Sequence, residues 1–255
     1  DDGNVVENNS IYSNFPGDVL SFSLQKNGRV TNNRVVGGLI AFFMNKNSSC
    51  NFNTVSKSES AGIFVSVPAE NNLIEGNSIS DSKSSGIVVR RKIDHRDENG
   101  VIVTPTTYRA PGMTVTNNEV FNSRFMGIEI DQTVGALVEN NTITNPDYSA
   151  IYTLQSDDAV IASNTAEDFG QCLHREPVHQ WDIHQNSGVY CDYATTNAII
   201  RSNLIVNATS DGARFGVKIS SWAENVGNQV LNNMVVGTYS YVEYEVPSPA
   251  NSQDG

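Results

Sequence analysis

Val115-Thr-Asn-Asn118-Glu-Val120-Phe-Asn-Ser-Arg-Phe-Met-Gly127-Ile128-Glu129-Ile130 holds two signals in sixteen residues. The first is apolar-x-x-Asn-x-apolar, carried by Val115, Asn118 and Val120. The second is Gly-apolar-x-apolar, carried by Gly127, Ile128 and Ile130. Working outward, the first signal returns around Asn9, Asn33, Asn53, Asn77, Asn141, Asn164, Asn203 and Asn233. An apolar residue or Cys50 stands three positions before each of these Asn, and an apolar residue two positions after. The second signal returns at Gly62, Gly86, Gly188 and Gly216. In the regular stretches the ladder Asn are 20 to 24 residues apart. Runs of two to four residues with period two are short strands, and helical spacing is almost absent.

Each repeat reads as one coil of short strands joined by bends. A single coil cannot bury its apolar edge, so coils must stack at ~4.8 Å, the interstrand spacing. Asn suits the bend because it tolerates left-handed backbone geometry and bonds its own backbone. Stacked in register, the amides also bond along the column. A leucine-rich repeat would need regular Leu, and a propeller would need longer repeats. The expected fold is therefore all-β: a right-handed parallel β-helix of about ten coils with two loop insertions. Asn77 to Asn118 spans 41 residues, read as one turn plus an insertion. Asn164 to Asn203 spans 39, read as two turns, with Trp181 in the Asn place of a frame from Val178 to Ile183.

Composition agrees. The chain has 255 residues, 38% hydrophobic and 17% charged, and 31 of them are Asn. That is too polar for a packed α/β core and too weakly charged for disorder. The net charge of −12 argues against nucleic acid or an anionic membrane surface as partner. No apolar run has membrane-spanning length and no signal peptide is present; a secreted protein whose signal has been removed reads the same. Residues 1–246 read as one domain and residues 247–255 as a flexible tail. Val5-Val6-Glu7-Asn8-Asn9 is already a coil. It calls for a further domain or subunit as cover, or for a chain that is a fragment or processed.

Over residues 5–246 these repeats resemble those of the pectin lyase-like superfamily of parallel β-helix proteins. The resemblance implies the fold, and one of several activities: polysaccharide lyase, uronan epimerase, glycoside hydrolase or phage tailspike. Gly188-Val-Tyr-Cys-Asp192 also resembles a Gly-Ile-Tyr-x-Asp signature of some β-helix glycosidase-like proteins. Calcium (Ca2+) is the cation the resemblance implies for lyases. No cofactor and no metal ligand set is assigned from the residues; Asp157-Asp158 could contribute, but paired Asp commonly shape a turn.

Function concentrates in loops on a rigid scaffold. Residues 90–112 and 174–186 interrupt the repeat, and the second is read as a remodelled short turn. Both are expected along one edge of the solenoid. They hold all four His: His95, His174, His179 and His184. On the Gly-apolar-x-apolar strand, the residue between the apolar positions points outward. That column is Phe64, Val88, Glu129, Tyr152, Leu173, Tyr190, Lys218 and Glu243. The next outward column is Ser66, Arg90, Asp131, Leu154, Arg175, Asp192, Ser220 and Glu245. A polysaccharide or oligosaccharide could lie along this face, with aromatics stacking on its rings and charges fixing it.

Lyase or epimerase chemistry on a uronate needs a cation to neutralise the carboxylate, a base and an acid. Arg175 or Lys218 could neutralise; His174, His179 or Lys218 could be the base; Tyr190 could be the acid. Arg90, Arg91, Glu129, Asp131, Tyr152, Glu176, Trp181 and His184 are candidates for substrate binding. Hydrolysis instead needs two carboxylates ~5–10 Å apart, such as Asp192 with Glu176 or Glu129 with Asp131. Plainer readings stand beside these: solvated loop His, Asp192 capping a bend, Trp181 plugging the core, and the whole column a non-catalytic carbohydrate-binding, adhesin or tailspike face. Cys172 and Cys191, read into adjacent coils, are two buried thiols or a disulfide. The expectation is a secreted carbohydrate-active protein acting on an acidic polysaccharide, by β-elimination or epimerisation ahead of hydrolysis.

Overall fold

A computed structural model describes residues 2–14, 17–91, 108–171, 186–208, 215–220, 225–238 and 240–244. Three parallel sheets of nine strands each run the length of a solenoid. A coil crosses each sheet once, as in Thr114–Thr116, Glu119–Phe121 and Ile128–Asp131. Neighbouring coils stack residue on residue: Val115 pairs with Ile74 on one side and Val138 on the other. Inward positions are Ile, Val and small residues stacked on their own kind, as Ile74, Val115, Val138 and Ile161 are, all at most 1% exposed. A coil has too few apolar residues to form a core alone, and stacking supplies it.

The bend between the first and second sheets holds the ladder. Asn118 Nδ2 donates to Asn141 Oδ1 at 2.9 Å, to Ile74 O at 3.0 Å and to Thr116 O at 2.9 Å. The Asn118 backbone N–H donates to the same Asn141 Oδ1 at 3.0 Å. The pattern repeats from Asn9 to Asn233, so each amide accepts from one coil and donates to the next. Only a side chain with both a donor and an acceptor can pass this chain on. The left-handed residue, however, is the one before each ladder Asn. Asn8, Asn32, Phe52, Asn117, Asn140, Ser163, Ser202 and Asn232 have φ between 53° and 59°, and Gly76 has 63°.

The stretch from Asn164 to Asn203 is one coil, not two. Asn164 Nδ2 donates directly to Asn203 Oδ1 at 3.0 Å, Val160 pairs with Ile199 and Thr165 with Leu204. No ladder place is left for Trp181, and an indole, which donates but cannot accept, could not have relayed the chain. The third sheet likewise passes straight from Ile151–Leu154 to Ser187–Cys191, pairing Tyr152 with Tyr190. No third-sheet strand therefore lies between these two, where a rung through Leu173 and Arg175 was expected; Cys172, Leu173 and Arg175 themselves lie outside the described residues. Among the described residues each of the three sheets has nine strands, in line with the expected solenoid of about ten coils.

The insertions also attach differently from expectation. Residues 92–107 follow the third-sheet strand Ile87–Arg91, whereas 172–185 precede the third-sheet strand Ser187–Cys191. Their attachment points flank the third sheet at opposite ends of its strands rather than sharing one edge. The second, read as a remodelled turn, lies outside the described residues.

Candidate functional site

The third sheet brings the outward candidates together. Pairing places Phe64, Val88, Glu129, Tyr152, Tyr190, Lys218 and Glu243 on successive strands, in the order expected apart from Leu173. Neighbours in this column are one interstrand spacing apart, ~4.8 Å. Although they point away from the core, Val88, Glu129, Tyr152, Tyr190 and Lys218 are buried. Glu129 is 5% exposed, Tyr190 5% and Lys218 0%.

At the centre, Tyr152 and Tyr190 meet edge to face, with ring centroids 5.6 Å apart. Lys218 Nζ lies 5.1 Å from the Tyr190 ring centre and 5.2 Å from that of Phe215, so two ring faces favour the ammonium. Tyr152 Oη donates to Asp192 Oδ2 at 2.9 Å. Burial, and then the Asp192 charge, push the Tyr152 phenol above its ordinary range. Asp192 also accepts from its neighbour Tyr193 N–H at 2.8 Å. It thus caps the bend and meets the tyrosine column at once.

A second group lies where residues 87–91 and 128–131 run side by side. Glu129 accepts from Ser85 Oγ at 3.0 Å and pairs with Arg90 Nη1 at 3.3 Å. Ser85 Oγ also accepts the Met126 N–H at 3.3 Å, which fixes the hydroxyl. Asp131 is two residues on, about 7 Å along the same strand face. Burial and the Glu129 charge raise its carboxyl to about 7, against the opposing pull of Arg90 and Arg109. Its Oδ1 is buried without a hydrogen-bond partner among the described residues.

Ser85, Arg109 and Phe215 were not among the sequence candidates. The ladder register exposes Ser85, which lies two residues before the Ile of its Gly-apolar-x-apolar strand. Arg109 ends the first insertion, where no repeat pattern reaches, and its Nε pairs with Asp157 Oδ2 at 3.6 Å. That pair and a bond from Thr196 Oγ1 at 2.7 Å already occupy Asp157, the residue weighed for calcium. Among the described residues no cluster of three or more His, Cys, Asp or Glu could hold a metal ion. His95, Cys172, His174, Arg175, Glu176, His179, Trp181, His184 and Glu245 lie outside the described residues, as do the side chains of Arg91 and Glu243. Cys191 is a buried free thiol, pushed up to about 11 by burial.

A nine-rung parallel solenoid with one polar, aromatic face defines a class of protein, and comparison agrees. The chain belongs to the right-handed β-helix family, whose description, "Right handed beta helix region", matches residues 1–93 and 90–245. Its architecture is that of the pectin lyase-like β-helices. Among solved structures it is similar to the periplasmic alginate epimerase AlgG, at 16% identity and a TM-score of 0.64, over 84% of this chain and 47% of that one. It is similar to the Azotobacter vinelandii mannuronan C-5 epimerase AlgE4 A-module, at 13% identity and a TM-score of 0.60, over 89% and 63%. An alginate lyase from Paenibacillus sp. str. FPU-7 matches at 15% identity and a TM-score of 0.60, over 90% and 78%. The chain spans about half the length of the first of these. At such identities the likeness is one of fold. No curated protein matches the chain by sequence. No described helix is long and apolar enough to cross a membrane.

Proposed function

We propose that this is an exported carbohydrate-active enzyme that acts on a uronate-containing polysaccharide by β-elimination or C-5 epimerisation. The observation that carries the reading is Lys218, wholly buried on the outward face, beside Tyr190 and one strand pair from the Tyr152–Asp192 bond. Removing the proton beside a sugar carboxylate builds negative charge on that carboxylate. A fixed, desolvated ammonium stabilises this charge more than water would. In elimination a base takes the C-5 proton, the electron pair forms the C4–C5 double bond, and the C4–O bond breaks as an acid protonates the leaving oxygen. In epimerisation the proton returns to C-5 from the other face and no bond to oxygen breaks. Tyr190 is the acid, Lys218 neutralises the carboxylate, and His174 or His179 is the base. Arg175 is the second candidate cation, and Trp181 and His184 are candidates for sugar contact. Neighbours described as alginate epimerase, mannuronan C-5 epimerase and alginate lyase support the substrate class.

The test follows absorbance at 235 nm and new reducing ends together, on polyuronates and neutral polysaccharides. Elimination raises both, and Lys218→Met and Tyr190→Phe abolish the rise. Epimerisation raises neither, but exchanges C-5 hydrogen with deuterated solvent, read by NMR. Reducing ends without absorbance would replace this reading by hydrolysis. Glu129 and Asp131 favour that second reading, being about 7 Å apart with Asp131 still protonated up to about pH 7. None of these signals from a folded sample would leave a binding scaffold.

A further inference from the structure

A cavity of about 360 Å³ lies away from the tyrosine column, on the bends that lead from the second sheet into the third. Lys57, Glu59, Asp81, Lys83, Asn122 and Arg124 line it. They fall on three consecutive coils in two registered columns, four and six residues after the ladder Asn53, Asn77 and Asn118. The acidic members are already engaged: Glu59 pairs with Lys83, and Asp81 Oδ1 accepts from Asn122 Nδ2 at 3.1 Å. Lys57 and Arg124 have no ion-pair partner among the described residues. A protein of net charge −12 thus gathers three cations and two carboxylates around one concavity, so that the balance there is positive and Lys57 and Arg124 are free of ion pairs among the described residues. A concave, locally cationic surface concentrates anions in a way that the overall charge does not.

The groove also leads to the candidate site. Arg124 is followed by Phe125 and Met126, and then by Gly127, Ile128 and Glu129. Phe125 meets Tyr148 edge to face at 5.0 Å, and both pack on a cluster formed by Met126, Tyr152 and Tyr190. An aromatic ledge therefore runs from the cations to the tyrosine column, within a strand path of at most ~17 Å. Aromatic faces accept sugar rings, and separated cations accept the carboxylates that such rings carry.

Resting on the acidic-polysaccharide reading above, we propose that the Lys57–Lys83–Arg124 groove is an accessory subsite for carboxylate-bearing sugar residues, holding the polymer while another part of it occupies the third-sheet face. Its contribution is affinity for longer acidic chains. The experiment is fluorescence anisotropy of the whole protein with fluorescein-labelled oligomannuronate and oligogalacturonate, and with labelled maltotetraose as a neutral probe. The triple variant Lys57→Gln/Lys83→Gln/Arg124→Gln is compared with the unaltered chain, with circular dichroism checking its fold. Exposed pairs contribute little to stability, so the variant is expected to fold. It is expected to weaken acidic-probe binding by about tenfold, with the difference vanishing in about 0.5 M salt. Hydrogen-exchange protection by the probe is expected in the segments holding Lys57, Lys83 and Arg124. Unchanged affinity of the triple variant, equal binding of maltotetraose, or protection confined to the third sheet would overturn it. Failure of the catalytic reading is separable: groove binding would persist with no 235 nm product and no C-5 exchange.

Discussion

Asp131 is the residue whose chemistry the surroundings alter most usefully. Its carboxyl rises from 3.8 to about 7, chiefly because burial penalises the charge and Glu129 repels it. The folded state therefore holds a proton that the unfolded chain releases near pH 4. Stability must fall as pH rises from about 4 to about 7, since the folded form binds more protons throughout that window. A shift of this size corresponds to about 4 kcal/mol at most, and partial exposure of the side chain reduces it to about 2–4 kcal/mol. Asp131→Asn removes the ionisation while keeping the shape. The variant is expected to match the unaltered chain at pH 4 and to exceed it by about 2–4 kcal/mol at pH 8, in urea midpoints converted through a common slope. Parallel stability curves for the two proteins would show that Asp131 does not titrate abnormally.

At the scale of the strand and bend, glycine fixes how closely coils approach. A Cβ on Gly127 would stand 2.3 Å from Ile143 Cγ2 and 2.6 Å from Ala150 O, a backbone atom that cannot swing away. Gly135 meets nothing within 4 Å but has φ +63°. Gly127→Ala is expected to cost about 2–3 kcal/mol through overpacking, and Gly135→Ala about 1–2 kcal/mol through backbone strain alone. Thermal unfolding of the two variants checks the order; a larger loss at Gly135 would mean that the coil bends relax freely. This close approach explains why Gly-apolar-x-apolar was legible in the sequence, and with it the third sheet and its outward column. The Asn frame was equally legible, because each amide is irreplaceable in its relay. The stretch from Asn164 to Asn203, read as two turns, was not, because coil length varies and an apolar frame without its Asn, as at Val178 to Ile183, fits too loosely to identify a turn. Period two showed that Tyr152, Tyr190 and Lys218 face outward, but face does not determine burial. The cationic groove was written in the register, at fixed offsets from three ladder Asn, yet each of its residues taken singly reads as a solvated bend.

Across the whole molecule, stability should behave as a chain of nearest-neighbour terms, since each coil touches only the coils beside it. The ends show this directly. Val6, Ile11, Val230 and Val235 are inward residues that remain only partly buried, whereas Val115, Val138 and Ile143 in the middle are 0% exposed. The Asn ladder follows the same rule. Asn118 bonds coils on both sides, and loss of its side chain takes from the buried Asn77 N–H its acceptor and from the Asn141 amide oxygen its side-chain donor, besides the bonds to the Ile74 and Thr116 carbonyls. Asn9 is exposed, and its side chain reaches a neighbouring coil through Asn33. Buried groups left without partners cost ~1–3 kcal/mol each, and water meets those at an open end. Asn118→Ala is therefore expected to destabilise by about 3–5 kcal/mol, and Asn9→Ala by less than about 1 kcal/mol. Native-state hydrogen exchange locates the difference. In the unaltered protein, protection should peak in the coils around Asn118 and decline towards both ends; in Asn118→Ala the loss should centre on the strands holding Ile74, Val115 and Val138 and fade with distance along the solenoid. If the central and terminal substitutions cost the same, or if exchange rose uniformly over all nine rungs, the solenoid would unfold as one indivisible unit and the nearest-neighbour account would fail.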